Sequence, residues 1–536
     1  MSDTPPSATH VELTGSKRMH RSGAEVLGRS DRHEWCQITV KVRRKAELPE
    51  PVAGQAVLTR AQAATDHGAD PADLAAVTAM ANNYGLKVVS QNAATCSVKL
   101  AGPVEAMEKA FQVHLFRVKH GSRYYRGRVG SLFIPKELEH KVVGVFGLDT
   151  RPMARHRASG PQSSRKGIPA ADTRPWYLPQ ELAAAYGFPD NDGSGQTIGI
   201  IELGGQYVAS DLHLFGQLAG LASLPTVNVI NAETVTSDSQ TDDDFISEVM
   251  LDIEVAAAVC PGATIAVYFS NFTEQGWVDV IDSALNDTQN NPGVLSISYG
   301  LAEGTETWTP QAMSAVNDAM KEAAGRGIPV CISAGDDGSD DQVGDGPAHV
   351  DFPASSPYVL CVGGTTLPKS GAETVWFEGD GLRKDHGGST GGGVSSVYPP
   401  PAWQSGIDIR SVNPGAPAGR CVPDVSANAA QGTGYLLVAQ GAQAVAGGTS
   451  AATPLWAALI ARLLHAGKKI GFLTPLFYQP NEKTAGQTLG AAACNDITSG
   501  SNATAKAGGY TAGPGYDAVT GWGSPRGDKL AELLPP

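Results

Sequence analysis

The sequence predicts an α/β protein in two parts. A compact α+β unit comes first, and a larger layered domain follows, built on a mostly parallel sheet with helices on both faces. Three observations predict this. Beyond residue 196, short apolar runs alternate with helical stretches, the rhythm of strand–helix–strand units whose sheet is covered on both sides. A basic segment rich in Pro, Gly and Ser, residues 151–169, separates that rhythm from what precedes it. The charge also changes sign there: residues 1–169 carry net +10 and residues 170–536 net −24. A chain of 536 residues is long enough for two or three such domains.

Taken in order, residues 1–34 are polar and unpatterned and are expected to form a flexible N-terminus. Trp35 to Val42 alternates as a strand. Asp70-Pro71 opens a helix running to about Asn83, with Gly85 closing it. A strand from Cys96 to Leu100, a helix opened by Pro103, and strands near 113–118 and 124–129 complete the unit at residue 150. Residues 151–175 are expected to be a linker open to proteolysis, and residues 176–536 the main domain. There, strands are expected at 197–202, 264–269, 294–299, 328–333 and 358–362. Helices are expected from a Ser210-Asp211 cap, over 243–259 and 276–285, and from Pro310. Chemistry in such sheets gathers beyond the carboxyl ends of the strands, which here carry Glu202, Tyr299-Gly300 and Gly335-Asp336.

Several classes are excluded. No apolar run approaches the roughly 18 residues of a membrane helix, and Met1 to Pro6 opens no signal-peptide core. The seven cysteines are scattered and odd in number, without C-x-x-C spacing, so neither a disulfide framework nor a zinc site is indicated. Neither nucleic acid nor membrane is expected as a partner. Carboxylates far outnumber cations in the main domain, so acid leaves few positive charges to repel one another. The basic first third would be attracted to the acidic remainder, an attraction acid should loosen.

One stretch organises the rest. Gly447-Gly448-Thr449-Ser450-Ala451-Ala452-Thr453-Pro454 delivers a serine to the start of a buried helix, where free N–H groups and the helix dipole favour a developing anion. Alone, it reads first as a capped core helix. A hydrolytic serine needs a base, yet His213, His349, His386 and His465, the histidines beyond residue 169, sit in no His-Gly-Thr setting of the subtilisin type. The alternative is Glu248 and Asp252, four apart on one face of an apolar helix. Two such carboxyls cannot both ionise cheaply, so one keeps a proton while the other serves as base. Asp336, in a Gly-Asp-Asp-Gly loop, could donate to an oxyanion only while protonated. All three point to acid: a histidine of pKa about 6.5 is already protonated near pH ~4, where a carboxyl is part ionised. A decoy, Gly387-Gly388-Ser389-Thr390-Gly391, fits the nucleophile-elbow pattern, but Gly392-Gly393 and a proline run follow it instead of a helix.

These residues resemble the sedolisins, or serine-carboxyl peptidases, especially kumamolisin-like members. The resemblance rests on Gly448-Thr449-Ser450-Ala451-x-x-Pro454, Glu248-x-x-x-Asp252-Ile253-Glu254, Ala334-Gly335-Asp336, Ile201-Glu202-Leu203-Gly204-Gly205 and His349-Val350-Asp351-Phe352-Pro353-Ala354. It covers nearly the whole chain. It implies a subtilisin-like mostly parallel sheet with helices on both faces, preceded by a ferredoxin-like α+β pro-domain over 35–150 that inhibits and chaperones the enzyme. Ser450 is implied as nucleophile, Glu248 as general base then acid, Asp252 as its partner, and Asp336 as the oxyanion acid. Glu202 and Tyr299 are implied to extend the proton network, although some close relatives have tryptophan where Tyr299 stands. Ser298, Gly300 and Asp351 are implied to bind substrate, the segment around Tyr299 pairing with it as an added strand. Asp496 and Asp517, with backbone oxygens of Ile497, Gly513 and Gly515, are implied to hold one structural Ca²⁺. The implied protein is a secreted, monomeric, acid-active endopeptidase that processes itself from a proenzyme and acts on proteins and peptides.

Overall fold

The computed structural model describes residues 8–153, 155–156, 174–233, 243–304, 307–383 and 387–536. In the first part, β1 (Trp35–Val42), α1 (Pro71–Asn83), β2 (Lys87–Asn92), β3 (Ser97–Pro103), α2 (Val104–Phe111) and β4 (Val142–Phe146) follow in sequence. Their sheet order is β2-β3-β1-β4 with every neighbour antiparallel, the ferredoxin-like arrangement. Helix α1 begins as its sequence indicates: Asp70 accepts from the Ala72 N–H and Pro71 occupies the first turn. Val77, Met80, Leu100, Met107 and Phe111 are buried between the two helices and the sheet.

The expectation of a flexible N-terminus fails for residues 8–34. His10–Glu12 pairs with Phe133–Pro135, and Glu25–Arg29 with Phe116–His120, which in turn forms a hairpin with Arg123–Gly127. These N-terminal strands are short and mostly exposed, and their partners lie about a hundred residues away, so no local alternation betrays them.

The main domain contains β5 (Thr197–Leu203), β6 (Thr226–Asn231), α3 (Asp243–Val259), β7 (Thr264–Ser270), α4 (Glu274–Asn286), β8 (Val294–Ile297), β9 (Tyr299–Ala302), α5 (Pro310–Gly325), β10 (Val330–Ser333), β11 (Leu360–Thr366), β12 (Val425–Asn428) and α6 (Thr449–His465). The order β6-β7-β5-β8-β10-β11-β12 is parallel throughout. Helices α3 and α6 cover one face, with Val249, Ile253, Leu455 and Leu459 wholly buried; α4 and α5 cover the other, with Trp277, Ile281, Val316 and Met320.

Two departures matter for the site. The strand expected over 294–299 ends at Ile297; the chain turns at Ser298, and β9 leaves the main sheet to pair with Asp351–Phe352. The helix expected to be capped by Ser210-Asp211 instead spans Ala209–Ala219, and Asp211 accepts from the Gln440 and Gly441 amides of a hairpin.

The two parts meet across α4 and α5. Lys41 pairs with Asp282 at 2.8 Å, Lys99 with Asp279 at 2.9 Å, Arg44 with Glu322 at 2.7 Å and Arg18 with Glu274 at 2.9 Å. In these four pairs the cation comes from the first part, as the charge division requires. Acid does not loosen them all. Burial raises the pKa of Asp279 and Asp282 despite the adjacent lysines. A carboxyl raised in the docked state holds its proton more tightly there, so falling pH favours docking through these two groups. The expectation neglected the cost of burying a carboxylate.

Candidate active site

Ser450 is the second residue of α6 and fully buried. Gly448, at φ 110°, occupies the cap position without a side-chain bond to the helix, so the capped-helix alternative does not describe this turn. The approach must be glycine: a Cβ on Gly447 would lie 2.4 Å from the Ala429 carbonyl oxygen.

Asp336 follows β10 at the carboxyl end of the sheet, after Gly335 at φ 110°. Its carbonyl accepts from the Ser389 N–H at 3.0 Å, and the Gly335 carbonyl accepts from the Gly391 N–H at 2.8 Å. Its Oδ1 accepts from the Thr449 N–H at 2.8 Å and bonds the Thr449 hydroxyl at 2.6 Å. The residue adjoining Ser450 is thereby tied to Asp336.

The helix α3 presents Glu248 and Asp252, both with no exposed surface. Glu202, at the end of β5 and equally buried, accepts a 2.8 Å hydrogen bond from the Tyr299 hydroxyl at its Oε2. Tyr299 stacks on Phe245 of α3 at 6.1 Å, which fixes β9 against that helix. Burial pushes Glu202 well above the usual carboxyl range; the Tyr299 bond pulls it down and Glu248 pushes it up. Asp252 is raised by burial first, then by Glu202 and Glu248, with the Ser298 hydroxyl pulling it down. The charged neighbours acting on both are carboxyls, so ionising one member of the cluster disfavours ionising the next.

The implied substrate-binding residues gather along β9. Gly300 lies in that strand, Ser298 directly precedes it, and the Asp351 carboxyl covers Gly300: a Cβ there would lie 3.3 Å from it. The opposite edge of β9 is occupied. Arg155–His156 pairs with it antiparallel, Arg155 opposite Gly300 and His156 opposite Tyr299. Residues 157–173 of the expected linker lie outside the described residues.

The rejected residues are elsewhere employed. Ser389 lies in the short strand Gly388–Ser389, and its hydroxyl donates to the Gly381 carbonyl. His213 and His465 are exposed and bond the Ala209 and Ser194 carbonyls, and His349 pairs with Asp345; His386 lies outside the described residues. Sequence reasoning missed the role of Thr449. The signal available was its place between a glycine cap and the serine. Glu254, next to the pair, is diverted to the Val438 amide at 2.9 Å.

Near the C-terminus, Asp517 Oδ2 accepts from the Gly513 N–H at 3.1 Å and Asp496 Oδ2 from the Gly515 N–H at 2.8 Å. Two carboxylates thus converge on one turn, and neither has an ion-pair partner among the described residues. Burial raises the Asp517 pKa, a cost that a cation would offset. Carboxylates and carbonyls are a hard oxygen set suited to Ca²⁺, so the residues fit. Among the described residues no cluster of three or more acidic, His or Cys side chains could hold a metal, so carbonyls would supply the remaining ligands.

Comparison with known proteins bears on the whole chain. Residues 233–523 match the subtilase family and residues 47–151 the pro-kumamolisin activation domain. The chain is 41% identical over 549 residues to kumamolisin of Bacillus sp. (strain MN-32), covering 98% of this chain and 96% of that protein. It is 30% identical to tripeptidyl-peptidase sed5 of Aspergillus fumigatus, covering 97% of each. The solved structure of Pseudomonas sedolisin complexed with pseudo-iodotyrostatin is 31% identical, with a TM-score of 0.58, over 67% of this chain and 98% of that one.

Proposed function

The chain belongs to the sedolisin family of serine-carboxyl peptidases and is a serine-type endopeptidase with an activation domain ahead of its catalytic domain; from that premise we propose which of its residues carry the reaction. The reading rests on one observation above the others: a buried carboxyl cluster on β5 and α3, with α3 packed against the helix whose start carries Ser450, next to a threonine that grips a further carboxyl.

Ser450 Oγ attacks the carbonyl carbon of the scissile peptide while Glu248 takes the hydroxyl proton. Protonated Asp336 donates to the oxygen that becomes negative, and the α6 N-terminus adds its dipole. Glu248 returns its proton to the leaving amine as the C–N bond breaks, leaving an acyl-enzyme on Ser450. Water then repeats the sequence, losing its proton to Glu248, and Ser450 leaves with that proton. Asp252 and Glu202 share protons with Glu248, and Tyr299 orients Glu202. This chemistry works in acid. Glu248 must be ionised to begin, whereas Asp336 must keep its proton, which rising pH removes.

Residues 35–150 form the activation domain, and residues 151–175 contain the processing site. Arg155–His156 occupies the edge of β9 where a substrate strand would add, so the proenzyme holds its own linker in the cleft as an intramolecular inhibitor. Ser298, Gly300 and Asp351 bind the incoming protein or peptide. One structural Ca²⁺ would be held by Asp496 and Asp517 with the backbone oxygens of Ile497, Gly513 and Gly515; when bound it pins the C-terminal loop. An acid optimum places the work outside a neutral cytoplasm, and we assign a secreted monomer. No helix among the described residues is long and apolar enough to cross a membrane.

The test is to bring purified proenzyme from neutral pH to about pH 4, near the reference carboxyl pKa, with Ser450→Ala alongside. The wild type is expected to cut itself within residues 151–175 and then digest denatured protein. Equal processing by the serine variant, in the absence of other proteases, would overturn the assignment.

A further inference from the structure

We infer that Thr449 is a positioning residue that fixes which oxygen of Asp336 carries the catalytic proton. The inference rests on Asp336 being the oxyanion acid and adds how that acid is aimed. Thr449 opens α6, is fully buried, and reaches Asp336 twice. Its N–H donates to Oδ1 at 2.8 Å, and its hydroxyl lies 2.6 Å from the same oxygen. A carboxylic acid has one carbonyl-type oxygen, the better acceptor, and one hydroxyl oxygen. An N–H donor selects the carbonyl-type oxygen, and a second donor reinforces the choice. Oδ1 is then the acceptor, and the proton resides on Oδ2. Without this grip Thr449 no longer distinguishes the two oxygens, and the protonated one is not held toward the oxyanion.

The backbone makes the arrangement rigid. Asp336 is held by its own carbonyl to Ser389, and Gly335 by Gly391, whose hydrogen atom stands where a Cβ would meet the Ala334 oxygen at 2.0 Å. Thr449 is anchored by the helix it begins, and its carbonyl accepts from the Thr453 hydroxyl at 2.7 Å. An alternative routing exists. The Thr449 hydroxyl lies 3.3 Å from the Gly335 carbonyl, so it could donate there and accept from a proton on Oδ1. The 2.6 Å contact against the 3.3 Å one favours donation to Asp336.

The two routings shift the Asp336 pKa in opposite directions. A hydroxyl that donates to the carboxyl stabilises the ionised form, so removing it raises the pKa; one that accepts from the acid stabilises the neutral form, so removing it lowers the pKa. The experiment measures kcat and kcat/KM against pH for self-processed enzyme carrying Thr449→Val or Thr449→Ser. Variants too slow to process themselves are cut by tagged wild-type enzyme, which is then removed. For Thr449→Val we expect the alkaline limb to move up by about one pH unit, kcat to fall about tenfold and KM to stay near wild type. Thr449→Ser, which keeps the hydroxyl, should restore both. A downward shift of the limb would place the proton on Oδ1 and overturn the inference; so would an unmoved limb, the mark of a merely structural residue. Asp336→Ala, which has no side-chain donor, separates the underlying reading: if that variant keeps wild-type activity, Asp336 is not the oxyanion acid.

Discussion

Two buried carboxyl groupings in this molecule differ in their partners and behave oppositely. At the candidate active site Glu202, Glu248 and Asp252 are wholly buried, and the charges acting on Glu202 and Asp252 are other carboxyls; both are raised well above the usual range. At the end of the activation domain Asp149 is also buried, but Arg18, Arg151 and Arg128 surround it. Burial pushes its pKa up, the arginines overcome that, and the net result is about 2. Arg128, wholly enclosed in the same cluster, is lowered to about 10, chiefly by burial. Burial alone therefore does not decide whether a carboxyl ionises; the nearest charge does. The arginine-rich cluster keeps Asp149 ionised well into acid. Glu202 and Asp252, acted on by carboxyls instead of arginines, are pushed toward the protonated form.

The most severe way to break this contrast is to remove the nucleophile. Ser450→Ala is expected to abolish both processing and proteolysis, read as an intact full-length band after acid incubation. Next, Glu248→Gln should lower kcat by about a thousandfold, the usual worth of a general base, measured on denatured protein with enzyme processed in trans.

A third pair of variants sets stability against activity. Asp424 pairs with Arg420 at 2.8 Å, both wholly buried. Asp424→Asn strands a buried guanidinium and should cost about 3–5 kcal/mol by denaturant unfolding. Asp252→Asn should cost activity but not stability. Its sign follows from linkage. Asp252 binds its proton more tightly folded than unfolded, so its ionisation at neutral pH opposes folding, and an amide removes that penalty. The variant should be at least as stable as wild type at neutral pH, with the gain vanishing as pH falls below the ordinary carboxyl range. A smaller effect is expected from the C-terminal loop: chelating Ca²⁺ should lower the melting temperature by several degrees, and Asp517→Asn should remove that response, read by calorimetry.

Much of this contrast was legible in the sequence. The strand–helix rhythm located the parallel sheet, and the i,i+4 spacing placed Glu248 and Asp252 on one buried face of α3. The glycine-flanked serine pointed to the start of α6. What was hidden depended on distant chain segments. The Thr449–Asp336 bond joins residues 113 apart, and the Tyr299–Glu202 bond residues 97 apart. The break at Ser298 that frees β9 follows from pairing with Asp351–Phe352 and is not visible in the apolar run Val294 to Tyr299. Net charge misled about the seam. It gave the attraction between the two parts correctly, but not the burial that raises the Asp279 and Asp282 carboxyls despite their lysine partners.

The central claim is that the partners of Ser450 are carboxyls. It is tested most directly by the pH dependence of kcat/KM for processed enzyme on a denatured protein whose own ionisation is held constant. Activity confined to acid, rising once a carboxyl ionises and lost toward neutrality as Asp336 sheds its proton, is the expected result. Activity that appears only as pH rises through the range of a histidine, near 6.5, and persists above it would contradict the assignment.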